Sequence, residues 1–291
     1  MLKRICLGVA LCLFGVAAYA AAHANKPFVF TAIPDQNEQH LKQRFGGVAD
    51  YLESELGVQV KYIPVKSYAA AVTAFRNDQV QLAWFGGLSG VRARNLVKGS
   101  QAIAQGLKDP EFQTYFIAHS STGLEFGASF PKDIRGKTFT FGSKGSTSGR
   151  LMPEHHIREN FGEAPKAVFS RVGFSGNHSK TIALVEAGSY QVGATNFKVW
   201  ERESAEGKID ESKVRVIWKT PPYPDYQWTV RGDVDENYGQ GFTDKIRNAL
   251  LTMHVKAPEL LERFPRERFI EADNDDFRPI YDVAKSIGLI D

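Results

Sequence analysis

Apolar positions along this chain switch between two periods, and the switches mark out its elements. Residues 28–33 form a short apolar run that predicts a strand, and Pro34-Asp35-Gln36-Asn37 reads as a turn that caps a helix. Leu41, Phe45, Val48, Tyr51, Leu52 and Leu56 then recur at helical spacing until Gly57 stops the run. Residues 58–63 predict a second strand, residues 68–76 a short helix with Val72 and Phe75 inward, and residues 80–85 a third strand. That strand runs into Gly86-Gly87-Leu88-Ser89-Gly90, with a helix following through Leu96. The glycines permit a tight turn or let backbone approach a ligand, which makes Gly87 a candidate binding position. Strand and helix alternating over short connections argue for a parallel sheet covered on both faces.

Further strands are predicted at residues 102–107 and 114–119, and a Ser/Gly-rich stretch at residues 120–130 reads as a crossing between two lobes. A second α/β set starts at Lys137, with a strand near residues 167–172, a helix after Asn177-His178-Ser179, and strands at residues 192–195 and 214–218. Residues 220–228 are proline-rich, rigid and turn-like, and suit a second crossing. The remainder, with apolar positions from Leu250 to Ile287, reads as helices that pack back on the first lobe. The expectation is an α/β protein of two lobes: residues 25–119 with 226–291, and residues 120–225, with a ligand cleft between them.

Composition adds an address. Hydrophobic residues make up 43% and charged residues 24% of the 291, an ordinary globular profile that excludes disorder and coiled coil. Lys3 and Arg4 precede an apolar run from Ile5 to Ala18, which reads as a secretory signal peptide over residues 1–24, cleaved after Ala20 or Ala24. The run is too short for a comfortable membrane span. Cys6 and Cys12 are the only cysteines and leave with the signal, so the mature chain is expected to have neither disulfide nor thiol chemistry. Cys12 follows Leu11 in mid-run, which does not suit a lipid anchor. An exported, periplasmic protein follows. Loss of Lys3 and Arg4 takes the formal net charge from +3 to +1, and the remaining charges interleave by sign, so neither nucleic acid nor an anionic membrane is an expected partner.

The chemistry concentrates in one stretch. The apolar run ending at Phe141 leads into Gly145-Ser-Thr-Ser-Gly149, and Leu151, His155, Ile157 and Phe161 beyond it fit a helical face. Strand, loop and helix in that order aim unpaired N–H groups and the hydroxyls of Ser146, Thr147 and Ser148 at one point, an anion seat; an ordinary helix cap is the simpler reading of the same residues. Residues 173–179 repeat the arrangement, with His178 near the helix start, so two helix ends could share one anion. Ser146 or Ser148 with His178 suggests an exported hydrolase, but the nucleophile-elbow pattern is absent. Glu154-His155-His156 and Glu159 lack the H-E-x-x-H pattern or its inverse and read as a solvated helix face. Lys144 lies on the wrong side of the hydroxyls for a nucleotide loop. What remains is binding without turnover, with no catalytic residue, metal or cofactor: hydroxyls, amides, a histidine and tyrosines among Tyr68, Tyr115, Tyr223 and Tyr226 replacing the water shell of an oxyanion.

Ser67-Tyr68-Ala-Ala-Ala71, Leu82-Ala-Trp-Phe-Gly-Gly-Leu-Ser89, Thr114-Tyr115, Gly145-Ser-Thr-Ser-Gly-Arg-Leu-Met-Pro153, Gly176-Asn-His178 and Ile217-Trp-Lys-Thr-Pro221 stand in the order and spacing of PhnD-like periplasmic binding proteins. The mature chain resembles these receptors of phosphonate and phosphite ABC importers over nearly its whole length. The resemblance implies a two-lobed Venus-flytrap monomer of the type with two crossings, which presents a small inorganic oxyanion or small phosphonate to an inner-membrane ABC permease. Position by position, Ser146, Thr147, Ser148 and His178 match the residues that hold the oxyanion, and Tyr68 and Tyr115 match cleft tyrosines of the other lobe. Receptors of this family for aminoethylphosphonate use two acidic residues for the ammonium; the first falls near Lys198-Val199, with no acid, and the second at Tyr226, beside Asp225. An unpaired buried ammonium is costly, so an amino-phosphonate is disfavoured. Residues 224–228 look more like phosphite receptors, and residues 32–36 and 84–91 like receptors for selenate. Asp225 is the nominated acceptor for a proton on the ligand; if it points away from the cleft, a fully deprotonated oxyanion gains ground. The competing classes are the hydrolase and a sensory partner of a membrane kinase.

Overall fold

A computed structural model describes residues 27–264 and 266–290, so the signal segment and its two cysteines lie outside the described residues. The strands in chain order are β1 (Phe28–Ala32), β2 (Val60–Tyr62), β3 (Leu82–Phe85), β4 (Gln101–Gly106), β5 (Thr114–His119), β6 (Thr138–Phe141), β7 (Arg171–Phe174), β8 (Val192–Asn196), β9 (Val214–Lys219), β10 (Gln227–Val230) and β11 (Phe269–Glu271). They form two mixed sheets, in the orders β11-β4-β10-β3-β1-β2 and β7-β6-β8-β5-β9. Each sheet, with its covering helices, is one lobe of an α/β protein.

The parallel part of the first sheet follows the sequence pattern. Helices Glu38–Leu56 and Tyr68–Arg76 connect β1, β2 and β3, with β1 paired to both neighbours. Asn37 caps the first helix by accepting from Gln39 N, and Gly57 ends it at a left-handed φ of 71°. Residues 227–230 depart from their turn-like reading. As β10 they insert antiparallel between β3 and β4, which buries Trp228 against Trp84, Phe30 and Phe45. Residues 269–271, read as helical, are the edge strand β11. Ala167, read in a strand, lies in a helical turn, Pro165–Val168, opened by its proline.

One boundary is displaced. β5, assigned from sequence to the first lobe, pairs antiparallel with β8 and β9 in the second sheet, so the chain crosses at residues 107–113 and returns at residues 220–226. The Ser/Gly-rich stretch after β5 is an exposed excursion of the second lobe. A strand as apolar as Tyr115-Phe-Ile-Ala118 satisfies either core, and composition does not tell which.

In both sheets the parallel strands end at the interface between the lobes. Asp35 follows β1, Gly86 follows β3, the Ser146 loop follows β6, His178 follows β7 and Asn196 closes β8. Carboxyl ends of parallel strands are where α/β sheets place ligands, because the next helix starts there with free N–H groups. The lobes are in contact across this interface: Leu88 N donates to Thr147 Oγ1 (3.0 Å), His178 N to Asp35 O (3.0 Å) and Asn196 Nδ2 to Tyr226 Oη (2.9 Å).

Candidate functional site

The Ser146 loop is a cap and something more. Ser146 Oγ accepts from Gly149 N (3.0 Å), which is the capping bond, and Thr147–Leu151 then winds as a π-helical turn before the helix Met152–Phe161 begins. A π turn is uncommon and is found most often at functional sites. Gly149 makes it possible: a Cβ there would lie 3.1 Å from the Gly142 Cα, the His178 Cε1 and the Ser146 Oγ. With only hydrogen in that place, the hydroxyl loop rests directly against the imidazole.

Thr147 and Ser148 point in useful directions. Thr147 Oγ1 accepts from Leu88 N of the opposite lobe, which leaves its hydroxyl proton for the Asp225 carboxyl beside it. Ser148 Oγ is buried beside the Asp225 carboxyl and the Tyr223 hydroxyl, but among the described residues it meets neither in good hydrogen-bond geometry. Its carbonyl is held by Thr114 Oγ1 (2.8 Å), which also bonds the Tyr223 hydroxyl (2.5 Å). Tyr68 comes from the first lobe with its hydroxyl beside Ser146, and among the described residues that oxygen likewise finds no partner in good hydrogen-bond geometry.

His178 is 1% exposed, and its Nδ1 accepts from Asn196 N (3.1 Å). Burial drives its pKa down to about 4, so the ring is neutral and its one proton sits on Nε2, a buried donor without a partner among the described residues. This is the reverse of what a hydrolytic base needs, since a triad orients its histidine through a proton on Nδ1. The pairing of Ser146 or Ser148 with His178 is thus an arrangement of donors.

Asp225 points into the interface. It is 1% exposed, its Oδ1 accepts from Gly87 N (2.8 Å), and a Cβ on Gly86 would lie 3.0 Å from that oxygen and 3.3 Å from Thr147 Oγ1. Burial raises its pKa to about 7 and outweighs the Thr147 and Gly87 hydrogen bonds, which pull the other way. Gly87 thereby serves the carboxyl, and its lack of a side chain leaves room for Ile280 and the Pro224 carbonyl, 3.1 and 3.2 Å from where a Cβ would be.

Tyr226 bridges the lobes: its hydroxyl donates to Asp35 Oδ2 (2.9 Å) and accepts from Asn196 Nδ2, while its ring stacks on Trp84 at 5.4 Å. Tyr115 does not join the group. It sits next to Thr114 on β5, and alternate residues of a strand face opposite sides, so Thr114 reaches Ser148 while the Tyr115 hydroxyl donates to Glu201 (2.9 Å) on the far face.

Asp35 and Asn196 also belong to the cleft, though the sequence pattern does not single them out. Asp35 is 2% exposed and its Oδ1 has no partner among the described residues. Asn196 had a readable signal, because its Oδ1 caps the helix Phe197–Ala205 by accepting from Lys198 N and Val199 N. Elsewhere, His155, His156 and Glu159 are the one group among the described residues able to bring three metal-ligand atoms within 4.8 Å. They are not a uniformly solvated face: His156 packs edge-on against Trp218, and Glu154 is buried between Arg150 and Arg158.

Comparison with known proteins identifies the family and the fold. Residues 30–277 match the family described as the periplasmic substrate-binding protein of phosphonate ABC transporters. The chain is 38% identical over 283 residues to PhnD1 of Prochlorococcus marinus (strain MIT 9301), named as an ABC transporter phosphite-binding protein, covering 96% of this chain and 95% of that one. It is 24% identical over 271 residues to the phosphonates-binding periplasmic protein of Escherichia coli, covering 90% and 78% of the two chains. Among solved structures, that of Prochlorococcus PhnD1 with methylphosphonate matches at a TM-score of 0.87 and 39% identity, over 91% of this chain and 99% of that one.

Proposed function

This chain belongs to the periplasmic substrate-binding proteins of phosphonate ABC transporters, and on that premise we propose that it encloses a small tetrahedral oxyanion carrying a proton, phosphite or methylphosphonate, for delivery to an inner-membrane permease. Such proteins bind and release their ligand; they are not enzymes.

The observation that carries the proposal is the pairing of neutral donors with one acceptor. Among the described residues, the Ser148 and Tyr68 hydroxyls and His178 Nε2 are buried with no partner in good hydrogen-bond geometry, which is costly unless a ligand completes them. Each can donate to an anionic oxygen. Asp225, beside Thr147 and Ser148, is the group suited to the remaining oxygen. A P–OH group gives that carboxylate a proton to accept, whereas a fully deprotonated selenate or sulfate sets oxygen against oxygen. The relatives named for phosphite and solved with methylphosphonate support the same ligand class.

Calorimetry of the mature protein against phosphite, methylphosphonate, phosphate, sulfate and selenate tests the reading. Phosphite or methylphosphonate should bind most tightly. Failure to bind any of the five at millimolar concentration removes the receptor reading for these ligands, and a preference for selenate at neutral pH removes the protonated ligand.

A further inference from the structure

The seat is poorly equipped to attract an anion from a distance. Its donors are hydroxyls and a neutral imidazole, and two carboxyl groups, Asp35 and Asp225, lie buried beside them. The arginines on the inner side are already engaged, Arg266 with Asp109 (2.8 Å) and Arg44 with the Arg263 carbonyl (2.8 Å), and further positive charge lies one layer out. A groove of about 520 Å³ opens beside Tyr68 between the lobes, bordered by Arg92 of the first lobe and by Lys144, Gly145 and Phe174 of the second. It continues into a second groove of about 490 Å³, which shares Arg92, Lys144 and Phe174 and adds Arg150, Arg158 and Lys166.

These cations differ in how they are occupied. Arg158 is paired with Glu154 (2.7 Å), and Arg150 shares that carboxylate. Arg92 spends one N–H on the Leu289 carbonyl (2.8 Å), and Lys144 Nζ stands 5.3 Å from the Phe174 ring centroid; among the described residues neither has a carboxylate partner. Burial, and after it the nearby Arg150 charge, lowers the Arg92 pKa. Tyr68 divides this rim from the seat. A Cβ on Gly145 would lie 2.9 Å from the Tyr68 Cβ, and the hydroxyl at the far end of the same side chain stands beside Ser146.

We infer that Arg92 and Lys144 form a cationic capture site at the mouth of the cleft, which draws the incoming oxyanion to the Tyr68–Gly145 junction before it enters the neutral seat. The inference rests on the proposed oxyanion ligand. Separating the tasks has a physical advantage: a cation in the seat would hold its anion through a strong charge-assisted bond, while a cation at the rim raises the encounter rate and leaves release to neutral groups. With one charge on each lobe, an anion between them also offsets the repulsion that closing brings.

The test is stopped-flow association of methylphosphonate and of phosphite with the mature protein, followed by tryptophan fluorescence, for the parent, Arg92→Gln, Lys144→Gln, the double variant and Lys245→Gln. Lys245 is exposed on the helix Phe242–Lys256 and controls for net charge. The double variant should associate roughly three- to tenfold more slowly at low ionic strength, a part of the roughly 10- to 1,000-fold that a whole charged cleft can supply, with its dissociation rate unchanged and the difference vanishing in high salt. An association rate equal to the parent's, an effect confined to dissociation, or an equal loss in Lys245→Gln overturns the capture site while leaving the receptor reading intact. A parent protein that binds neither ligand overturns both.

Discussion

The Asn196 amide donates to His178 Nδ1 at 3.1 Å, and that one bond decides what the imidazole can do in the cleft. A nitrogen that accepts carries no proton, so Nε2 must be the donor. His178→Ala should therefore weaken oxyanion binding by about 1.5–3 kcal/mol, the worth of a hydrogen bond to a charged group, or roughly 10- to 150-fold by calorimetry. The same residue makes an acid liability. Its pKa falls from 6.5 to about 4 on folding, so the unfolded chain takes up the proton first, and the cost to the fold grows as pH drops from 6.5 and is complete near 4. Between pH 7.5 and 4.5, His178→Gln should lose less melting temperature than the parent; an equal loss would mean that His178 protonation does not drive the acid sensitivity.

Asp225 has the opposite signature. Its pKa rises from 3.8 to about 7 on folding, so the penalty is absent below 3.8, builds as the unfolded carboxyl ionises, and is complete above about 7. Asp225→Asn should raise the melting temperature at pH 8 and leave it unchanged at pH 3.5. Against ligands, the variant should bind phosphite and methylphosphonate several-fold more weakly, having lost a charge-assisted acceptor, and sulfate and selenate no worse than the parent. Should it weaken selenate most, Asp225 acts as a proton donor, and the proposed protonated ligand is the wrong guest.

Ser146 and Ser148 are separable by thermodynamics. Ser146 caps the helix through Gly149 N, so Ser146→Ala should cost about 0.5–2 kcal/mol of stability along with affinity. Ser148 Oγ makes no well-formed hydrogen bond among the described residues, so Ser148→Ala should lower affinity while leaving the melting temperature of the ligand-free protein unchanged or slightly higher. Melting curves and calorimetry on the two variants check both halves. A marked loss of stability in Ser148→Ala would show that its hydroxyl supports the fold.

How much of this was legible in the sequence depends on which interaction placed each residue. Ser146, Thr147, Ser148 and His178 announced themselves because strand-to-helix turns confine their residues locally, and they meet around Gly149 in the structure. Tyr115 illustrates the opposite case: its neighbour Thr114 faces Ser148, and which parity of β5 faces inward is fixed by pairing with β8 and β9, strands far away in sequence. The displaced crossing has the same origin, since β5 joins its sheet through those same distant partners. Asp35 looked like part of a turn, and only the Tyr226 hydroxyl, 191 positions along the chain, makes it a buried cleft carboxylate.

That Tyr226 hydroxyl offers the sharpest test of closure. It donates to Asp35 Oδ2 and accepts from Asn196 Nδ2 of the other lobe, so one oxygen both holds a buried carboxylate and ties the lobes together. Tyr226→Phe keeps the ring stacked on Trp84 but leaves Asp35 Oδ2 without that donor, at a cost of about 1–3 kcal/mol for an unsatisfied buried group. Opening the cleft to water relieves that cost, so it falls chiefly on the closed form. The variant should bind oxyanion about 5- to 150-fold more weakly and, by small-angle scattering, should match the parent's radius of gyration at saturating ligand. Unchanged affinity would mean that the lobes close without this bridge and that Asp35 finds its donor elsewhere.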